Sequence, residues 1–412
     1  MQYGLIGEKL SHSFSKEIHE DIADYVYELC EIPRSDLALF LQKREFSAIN
    51  VTIPYKKEVL PYLDEISDAA NKLQAVNCII NCNGKLCGYN TDYFGMRDTI
   101  LRSGVDVSGK KVLILGTGGT SRTSALVCKN LGADEILFVS RNKKDGAITY
   151  NESYACHADA EIIINATPIG MYPDSYDSPI DLSKFSNLLA VFDAVYNPIR
   201  TKLVLDAKEK NILADGGLYM LVSQAVHAIE LFTKTEIEEN KIDEIYNQIL
   251  KQKENIVLIG MPSSGKTTVG AILADSLCRE VIDLDDEIEK RIGCTIAEFF
   301  KSHTEKEFRD VETEITKEIS KKNGVIIATG GGCILRKENV DALKSNGRLY
   351  FLDRDLESLT PTDSRPLATK KEAIKKLYNE RYHIYINVSD VRIDANLTPN
   401  EEAEIIREEF FK

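Results

Sequence analysis

The feature that most constrains the fold is a pair of glycine-rich loops, each of which follows an apolar run and precedes a helical pattern. The first is GTGGTSR at 116–122, after the run VLIL. The second is GMPSSGKTT at 260–268, after the run IVLI. A buried strand, a glycine turn and a helix together hold a nucleotide phosphate at the helix N-terminus. Because the two loops space their glycines differently, we expect two separate nucleotide sites.

Strands and helices alternate after each loop, which predicts parallel sheets with crossover helices. A chain of 412 residues is also too long for one ordinary core. Two seams divide it, a polar stretch at 102–111 and a short charged linker, KQKEN, at 251–255. We therefore predict three α/β lobes, at 1–104, 105–250 and 255–412, of which the first two form one functional unit.

Composition limits the kinds of partner. The chain has 51 Lys and Arg against 65 Asp and Glu, a net charge of -14, which argues against binding nucleic acid. No apolar run approaches the roughly 18 residues of a membrane helix, and the N-terminus has no signal-peptide pattern. The nine cysteines are an odd number without a CxxC pair, as expected of free thiols in a reducing cytoplasm. We expect a cytoplasmic protein that binds small molecules, with its oligomeric state left open.

The first glycine loop has the context of a dinucleotide site. The residues that we expect at the cofactor are Gly116, Gly118, Gly119 and Thr120. Ser121 occupies the third glycine position of the usual pattern, so a tight turn without a ligand is the alternative. The next strand ends in Ser140, Arg141 and Asn142, with no carboxylate to hold a ribose hydroxyl. Arg141 can instead hold a 2'-phosphate, which favours NADP over NAD.

Residues 1 to about 250 resemble the shikimate dehydrogenase family. The motifs are SHSFS at 11–15, NVTIPYK at 50–56, AVN at 75–77, NTD at 90–92, GTGGTSR at 116–122, NATPIGM at 165–171, DAVYNP at 193–198 and GGLYMLVSQA at 216–225. The resemblance implies a substrate-binding lobe, a Rossmann lobe for NADP(H) with its C-terminal helices returning to the first lobe, and the reduction of 3-dehydroshikimate to shikimate. Quinate, a related acid, is an alternative substrate, because the same serine and lysine residues suit both acids.

That resemblance also implies roles for individual residues. The substrate contacts would be Ser13, Ser15, Thr52, Asn77, Asp92, Tyr196 and Gln224, and the residues beside the nicotinamide would be Ala194, Gly217 and Met220. Lys56 and Asp92 would be the catalytic pair, because a lysine beside a carboxylate can give a proton to the forming hydroxyl. The alternative for Lys56 is a solvated surface lysine next to Lys57.

The second glycine loop has the spacing of an ATP phosphate loop. Gly260 and Gly265 allow backbone N–H groups to surround the phosphates, with Thr268 following in the helix. Lys266 would reach the β and γ phosphates, and the hydroxyl of Thr267 would bind Mg²⁺. Two acids and three arginines follow downstream: Asp283, Asp285, Arg309, Arg365 and Arg381. Such a set suits a small polyhydroxylated anion as phosphate acceptor, although each residue alone is equally compatible with a surface salt bridge.

Residues 255–412 resemble the shikimate kinase family through these residues. The resemblance implies a phosphate-loop fold like that of the nucleoside-monophosphate kinases. In it Asp283 helps Thr267 to hold Mg²⁺, and Asp285 is the candidate base. The shikimate ring and carboxylate would be bound by Arg309, Gly331 and Arg381, while Arg365 closes over the phosphates from a lid.

The kinase-like segment departs from the family pattern at FLDRDLESLTPTDSRPL, residues 351–367. This stretch is shorter and lacks the arginine expected to stack on adenine.

Two hypotheses follow for the whole chain. In the first, it converts 3-dehydroshikimate to shikimate with NADPH and then phosphorylates shikimate with MgATP. In the second, an active dehydrogenase is fused to a regulatory module that binds ATP without transferring phosphate.

Overall fold

The computed structural model describes residues 1–10, 14–143, 146–173, 176–361 and 370–412. The chain forms two compact units. The first consists of Met1–Met171, Asp177–Asn197 and Asp206–Ile249, and the second of Tyr172–Tyr176, Pro198–Leu205 and Leu250–Lys412. Among the described residues, no helix combines the length and the apolar character needed to cross a membrane.

Strands and helices alternate along most of the chain. The strands are β1 Tyr3–Gly7, β2 Tyr27–Glu31, β3 Ala48–Val51, β4 Glu65–Ile66, β5 Cys78–Cys82, β6 Lys85–Tyr89, β7 Lys111–Leu115, β8 Glu135–Ser140, β9 Ile148–Thr149, β10 Ile162–Asn165, β11 Ala190–Asp193, β12 Leu213–Asp215, β13 Asn255–Ile259, β14 Val281–Asp283, β15 Ile326–Ala328, β16 Gly347–Asp353 and β17 Val391–Asp394. The helices are α1 Ser15–Ile22, α2 Leu37–Lys43, α3 Asp68–Leu73, α4 Asp92–Arg102, α5 Gly119–Asn130, α6 Tyr150–Cys156, α7 Lys202–Glu209, α8 Leu218–Thr233, α9 Glu239–Lys253, α10 Lys266–Leu277, α11 Leu284–Ile292, α12 Ile296–Phe299, α13 Glu305–Ile319, α14 Lys337–Asn346, α15 Lys371–Val388 and α16 Pro399–Phe411.

The first sheet of the first unit has the order β2-β1-β3-β5-β6-β4. Strand β1 runs parallel to β2 and β3, whereas β5 is antiparallel to β3 and β6. The β5–β6 hairpin turns at Asn83 and Gly84, whose φ angles of 53° and 89° are those of a type I' turn. Asn-Gly is the pair that such a two-residue hairpin turn favours, because both of its central residues have positive φ angles.

The second sheet of the first unit has the order β12-β11-β10-β7-β8-β9, and all of its strands are parallel. In chain order this is the 3-2-1-4-5-6 arrangement of a doubly wound dinucleotide fold. The direction of winding reverses between β7 and β10, so a crevice opens at their carboxyl ends. The first glycine loop follows β7 and therefore lies at that crevice.

The sheet of the second unit has the order β14-β15-β13-β16-β17, also with parallel strands. Its central strand β13 leads into the second glycine loop, flanked by β15 on one side and β16 on the other. Ile256, Leu258 and Ile326 are fully buried in this sheet. The sequence pattern of parallel strands with crossover helices is confirmed for both glycine loops.

The predicted charged linker at 251–255 is wrong, because α9 continues through Lys253 and β13 begins at Asn255. Arg279 explains the extra helical turn: it donates from Nη1 to the carbonyl oxygen of Glu254 at 2.8 Å and from Nη2 to that of Lys251. The carbonyls at the end of the helix are thereby satisfied, as helix C-termini require.

The second unit also includes the short segment Pro198–Leu205. Arg200 in this segment donates to the carbonyl oxygens of Lys344 and Gly347, each at 2.8 Å. Its guanidinium also pairs with the carboxylate of Glu254 at 2.7 Å. The second unit therefore contains more of the chain than its contiguous C-terminal part.

Candidate active sites

The centre of the first site is an ion pair between Lys56 and Asp92. Lys56 lies in the turn after β3, and Asp92 is the first residue of α4. The Lys56 Nζ lies 2.6 Å from Asp92 Oδ2, while Asn77 Nδ2 donates to Asp92 Oδ1 at 3.0 Å. Each carboxylate oxygen thus has its own donor, which fixes the orientation of the carboxylate and leaves the lysine able to pass a proton to a third group.

A network of amide and hydroxyl groups orients this pair. The Asn77 Oδ1 accepts from the backbone N–H of Thr91 at 2.7 Å, and the Asn77 Nδ2 donates to Thr91 Oγ1 at 3.0 Å. Thr91 Oγ1 in turn donates to Gln224 Oε1 at 3.4 Å. The residue before β5, the N-terminal end of α4 and helix α8 therefore meet around Thr91 and Asp92. Thr91 was not predicted, although it is the middle residue of the NTD motif.

The other substrate residues lie on neighbouring segments. Ser15 begins α1, and the ring of the preceding Phe14 lies 5.6 Å from the ring of Tyr196. Burial raises the pKa of Tyr196, which keeps its hydroxyl protonated at neutral pH. Thr52 follows β3 directly. Ser13 lies outside the described residues.

The first glycine loop presents open backbone to a ligand. Gly116 has a φ of 102°, and a Cβ there would lie 3.1 Å from both Ser121 Oγ and Thr167 Cγ2, so only glycine fits. A Cβ on Gly118 or Gly119 would have no neighbour within 4 Å. The backbone at these two glycines can therefore be approached closely at the start of α5, which also carries Thr120 in its first turn.

The residues expected around the rest of the cofactor fall into two groups. Ser140 ends β8, and both Arg141 and Asn142 beyond it are exposed, as contacts to a 2'-phosphate require. The second group is packed more tightly. Gly217 donates its backbone N–H to the Val195 carbonyl at 2.9 Å, and a Cβ on it would lie 2.3 Å from the Ala194 carbonyl oxygen. Met220 packs against Ala194 in the same core.

The second glycine loop is closed by its own lysine. Lys266 is buried, and its Nζ donates to the carbonyl oxygens of Gly260 and Met261, each at 2.9 Å. Gly260 and Gly265 have φ angles of 155° and 99°, a region that favours glycine. Thr268 is exposed in the first turn of α10.

A hydroxyl and a carboxylate meet beside this loop. Thr267 Oγ1 donates to Asp283 Oδ2 at 2.7 Å. These are hard oxygen ligands of the kind that Mg²⁺ binds together with nucleotide phosphates. In the described part of the chain, no group of three His, Cys, Asp or Glu side chains could hold a metal ion. One hydroxyl and one carboxylate suit a Mg²⁺ ion that takes further ligands from nucleotide phosphates.

Asp285 lies on a helix, although the nearby Asp283 ends a strand. Strand β14 ends at Asp283, which caps α11 by accepting from the backbone N–H of Asp285 at 3.0 Å, and Asp285 lies in the first turn of that helix. A Cβ on Gly330 would lie 2.5 Å from Asp285 Oδ1. The glycine loop after β15 thus makes room for this carboxylate.

Two buried arginines lie near the same glycine loop. Arg309 donates from Nη1 to both carboxylate oxygens of Glu312, at 3.0 and 2.8 Å. Burial raises the pKa of Glu312, and Arg309 opposes that rise. Arg381 donates from Nη1 to the Gly331 carbonyl at 2.9 Å, and its burial lowers its pKa. Both guanidiniums are held in fixed positions, as recognition of a carboxylate requires.

Tyr385 links the two glycine loops of this site. Its hydroxyl lies 2.9 Å from the Gly260 carbonyl oxygen and 2.5 Å from that of Gly331. Tyr385 and Glu312 were not predicted as site residues. The available signal was spacing, because Glu312 follows Arg309 by three residues and Tyr385 follows Arg381 by four, so each pair shares a helix face. Arg365 lies outside the described residues.

Two family models match the chain. The model described as shikimate dehydrogenase substrate binding domain matches residues 5–79, and the model described as shikimate kinase matches residues 262–410. An NADP(+) shikimate dehydrogenase of Clostridium beijerinckii is 34% identical over 262 residues, which are 60% of this chain and 96% of that protein.

Solved structures resemble the same part of the chain. Shikimate dehydrogenase 1 from Peptoclostridium difficile is 36% identical with a TM-score of 0.55, and the match covers 60% of this chain and 98% of that one. Shikimate 5-dehydrogenase from Thermus thermophilus, in complex with NADP(H) and shikimate, is 26% identical with a TM-score of 0.54, covering 60% and 99%.

Proposed function

Because the chain belongs to the shikimate dehydrogenase family and also carries a shikimate kinase domain, we propose that one polypeptide catalyses two consecutive reactions on the same ring. The first is the NADPH-dependent reduction of 3-dehydroshikimate to shikimate. The second is the transfer of phosphate from MgATP to shikimate, giving shikimate 3-phosphate. We assign the first to residues 1–104 and 105–250, which bind substrate and NADP(H), and the second to residues 255–412.

The observation that carries the first reaction is the contact of 2.6 Å between Lys56 Nζ and Asp92 Oδ2. NADPH supplies the hydride that reaches the ketone carbon. The forming alkoxide needs a proton, which Lys56 can give while Asp92 stabilises the charge on the lysine. Asn77 and Gln224 would hold ring hydroxyls beside this pair, and Thr52 and Tyr196 would line the same cleft. Ser13 and Ser15 would bind the substrate carboxylate.

Replacing Lys56 tests this assignment. We expect Lys56→Met to lower kcat for NADP-dependent oxidation of shikimate, in which Lys56 would accept the hydroxyl proton, by about 10² to 10⁴-fold, the usual loss on removing a general acid or base, with a much smaller change in KM. Lys57→Met is the matched control, because Lys57 is adjacent in sequence and exposed. Equal activity of the two variants would show that the proton comes from elsewhere.

The observation that supports phosphoryl transfer is the position of Asp285, against the glycine loop after β15 that also contacts Arg381. Asp285 can accept the proton of the attacking hydroxyl. Arg309 and Arg381 can bind the acceptor carboxylate, with Gly331 beneath the ring and Arg365 over the phosphates. Lys266 would move from its backbone carbonyls to the β and γ phosphates.

The direct test is to incubate the purified chain with shikimate and MgATP, without NADP, and to measure ADP and a singly phosphorylated product. We expect both, and we expect Asp285→Asn to remove them while Asp286→Asn, at an exposed neighbouring position, does not. Binding of ATP without any phosphorylated product would favour the regulatory alternative. The dehydrogenase reaction of the same sample, followed by NADPH absorbance, shows that the first unit is folded.

A further inference from the structure

Arg354 is a charged residue beside the second glycine loop that the proposed reaction does not use. It follows β16 directly. Its Nη1 lies 3.7 Å from the position that a Cβ on Gly265 would occupy. Its Nε is buried and has no hydrogen-bond partner in the described structure. A buried donor left without a partner calls for an explanation, such as a ligand that is bound during function.

A buried carboxylate lies at the same point of the loop. Glu402, in α16, is 1% exposed, and its Oε2 lies 3.9 Å from the same Cβ position on Gly265. That oxygen also has no hydrogen-bond partner among the described residues. Burial raises the pKa of Glu402, and Arg354 opposes this shift. Glu402 thus places a negative charge near Arg354 at this point of the loop.

The surrounding backbone is held in place. The Ala395 N–H donates to the Asp353 carbonyl at 3.0 Å, and the Asp355 N–H donates to Asn396 Oδ1 at 3.2 Å. These bonds fasten the residues on either side of Arg354 to the segment that follows β17. Arg354 thus lies between the glycine loop and the turn that precedes α16, on backbone that is fixed from both sides.

The strand order indicates which part of a nucleotide lies here. Asp285 and the loop of Gly330 follow β14 and β15, on one side of β13, so the phosphate to be transferred must point to that side. Arg354 follows β16, on the opposite side of β13. A nucleotide that spans the glycine loop therefore has its nucleoside end near Arg354. Between residues 351 and 364 this is the only arginine.

We propose that Arg354 binds the adenosine part of ATP. Its planar guanidinium can stack on the base, and its free donors can reach the ribose or base edge. Arg354 would then supply the cation at the base that the sequence pattern of this segment lacks at its expected position. The inference rests on the proposed function to the extent that both require a nucleotide at the second glycine loop.

The test is calorimetric binding of two ligands, MgADP and magnesium tripolyphosphate, to the full chain. We expect Arg354→Ala to weaken MgADP binding by about tenfold, the usual scale for loss of a stacked cation, and to leave tripolyphosphate binding unchanged. Arg348→Ala is the matched control: it removes an arginine within β16 itself, paired with Glu409 at 3.2 Å, and should change neither affinity. Arg354→Lys keeps the positive charge but lacks the planar guanidinium, so its affinity for MgADP should lie between those of the wild type and Arg354→Ala.

The other possible outcomes would contradict either the role of Arg354 or the proposed kinase function. Equal weakening of both ligands by Arg354→Ala would mean that the residue acts on the phosphates or on the loop itself, and unchanged MgADP binding would remove it from the site. A wild-type chain that binds no nucleotide would overturn the proposed kinase function along with this inference. A wild-type chain that binds MgADP but transfers no phosphate would overturn the kinase function alone, and the Arg354 comparison would still decide.

Discussion

Removing the partner of Arg309 should destabilise the second unit strongly. Glu312 is 1% exposed, and both of its oxygens accept from Arg309 Nη1. Glu312→Gln keeps the shape of the side chain but leaves the buried guanidinium without its main counter-charge. Breaking a buried ion pair from one side costs about 3–5 kcal/mol. Because Arg309 Nη2 also contacts the Glu305 carboxylate at 3.2 Å, we expect the low end, about 3 kcal/mol of unfolding free energy.

The assay is hydrogen exchange by mass spectrometry on peptides from α13, in the regime where exchange reports the opening free energy. A loss of about 3 kcal/mol corresponds to exchange that is faster by a factor slightly above about 10². The matched control is Glu305→Gln, which removes the other partner of the same arginine. The Glu305 side chain is 53% exposed, so this change should cost less than about 1 kcal/mol. Equal effects of the two variants would refute the reasoning from burial.

Three further changes test other parts of the chain. Arg141→Glu should raise the KM for NADPH and improve the use of NADH, measured by steady-state kinetics with both cofactors, since a carboxylate repels a 2'-phosphate. His227 is partly buried, which lowers its pKa, but Asp98 and Glu230 contact it and the net shift is upward from 6.5. The stability that His227 contributes is therefore complete below about pH 6.5 and is lost as pH rises through the higher pKa of the folded state. We expect His227→Gln to make the free energy of unfolding, measured with urea, fall less steeply over this pH range. Tyr385→Phe removes the hydroxyl that donates to one carbonyl in each of the two glycine loops. Because this hydroxyl fixes the spacing of the loops, we expect a lower kcat of phosphoryl transfer and a smaller change in KM.

Much of the fold was predictable because its signals are local. The runs VLIL and IVLI are fully buried strands, and each is followed by a glycine that needs a positive φ. The Asn83–Gly84 turn depends on two residues alone. The predictions that failed depend on tertiary contacts instead. Lys251–Lys253 remain helical because Arg279, distant in sequence, binds the carbonyls at the helix end.

The site residues divide in the same way. Lys56, Asp92 and Asn77 belong to short motifs, and their proximity follows from strands and helices that end at one place. Asp285 was predicted as a site residue from its motif, but its position on a helix depends on where Asp283 ends the strand. The hydroxyl of Tyr385 has a role only because two glycine loops, far apart in sequence, each present a carbonyl to it.

Sheet order is the information that a single sequence lacks most. Motifs identify the groups that follow each strand of the second unit, and parallel strands bring all of these groups to one edge. They do not tell which strand is central or which neighbours lie on either side of it. The order β14-β15-β13-β16-β17 places the carboxylate of Asp285 and the guanidinium of Arg354 on opposite sides of the phosphate loop. Because a nucleotide has a reacting end and a nucleoside end, we expect the two residues to have different tasks, although in sequence both are charged residues next to a strand end.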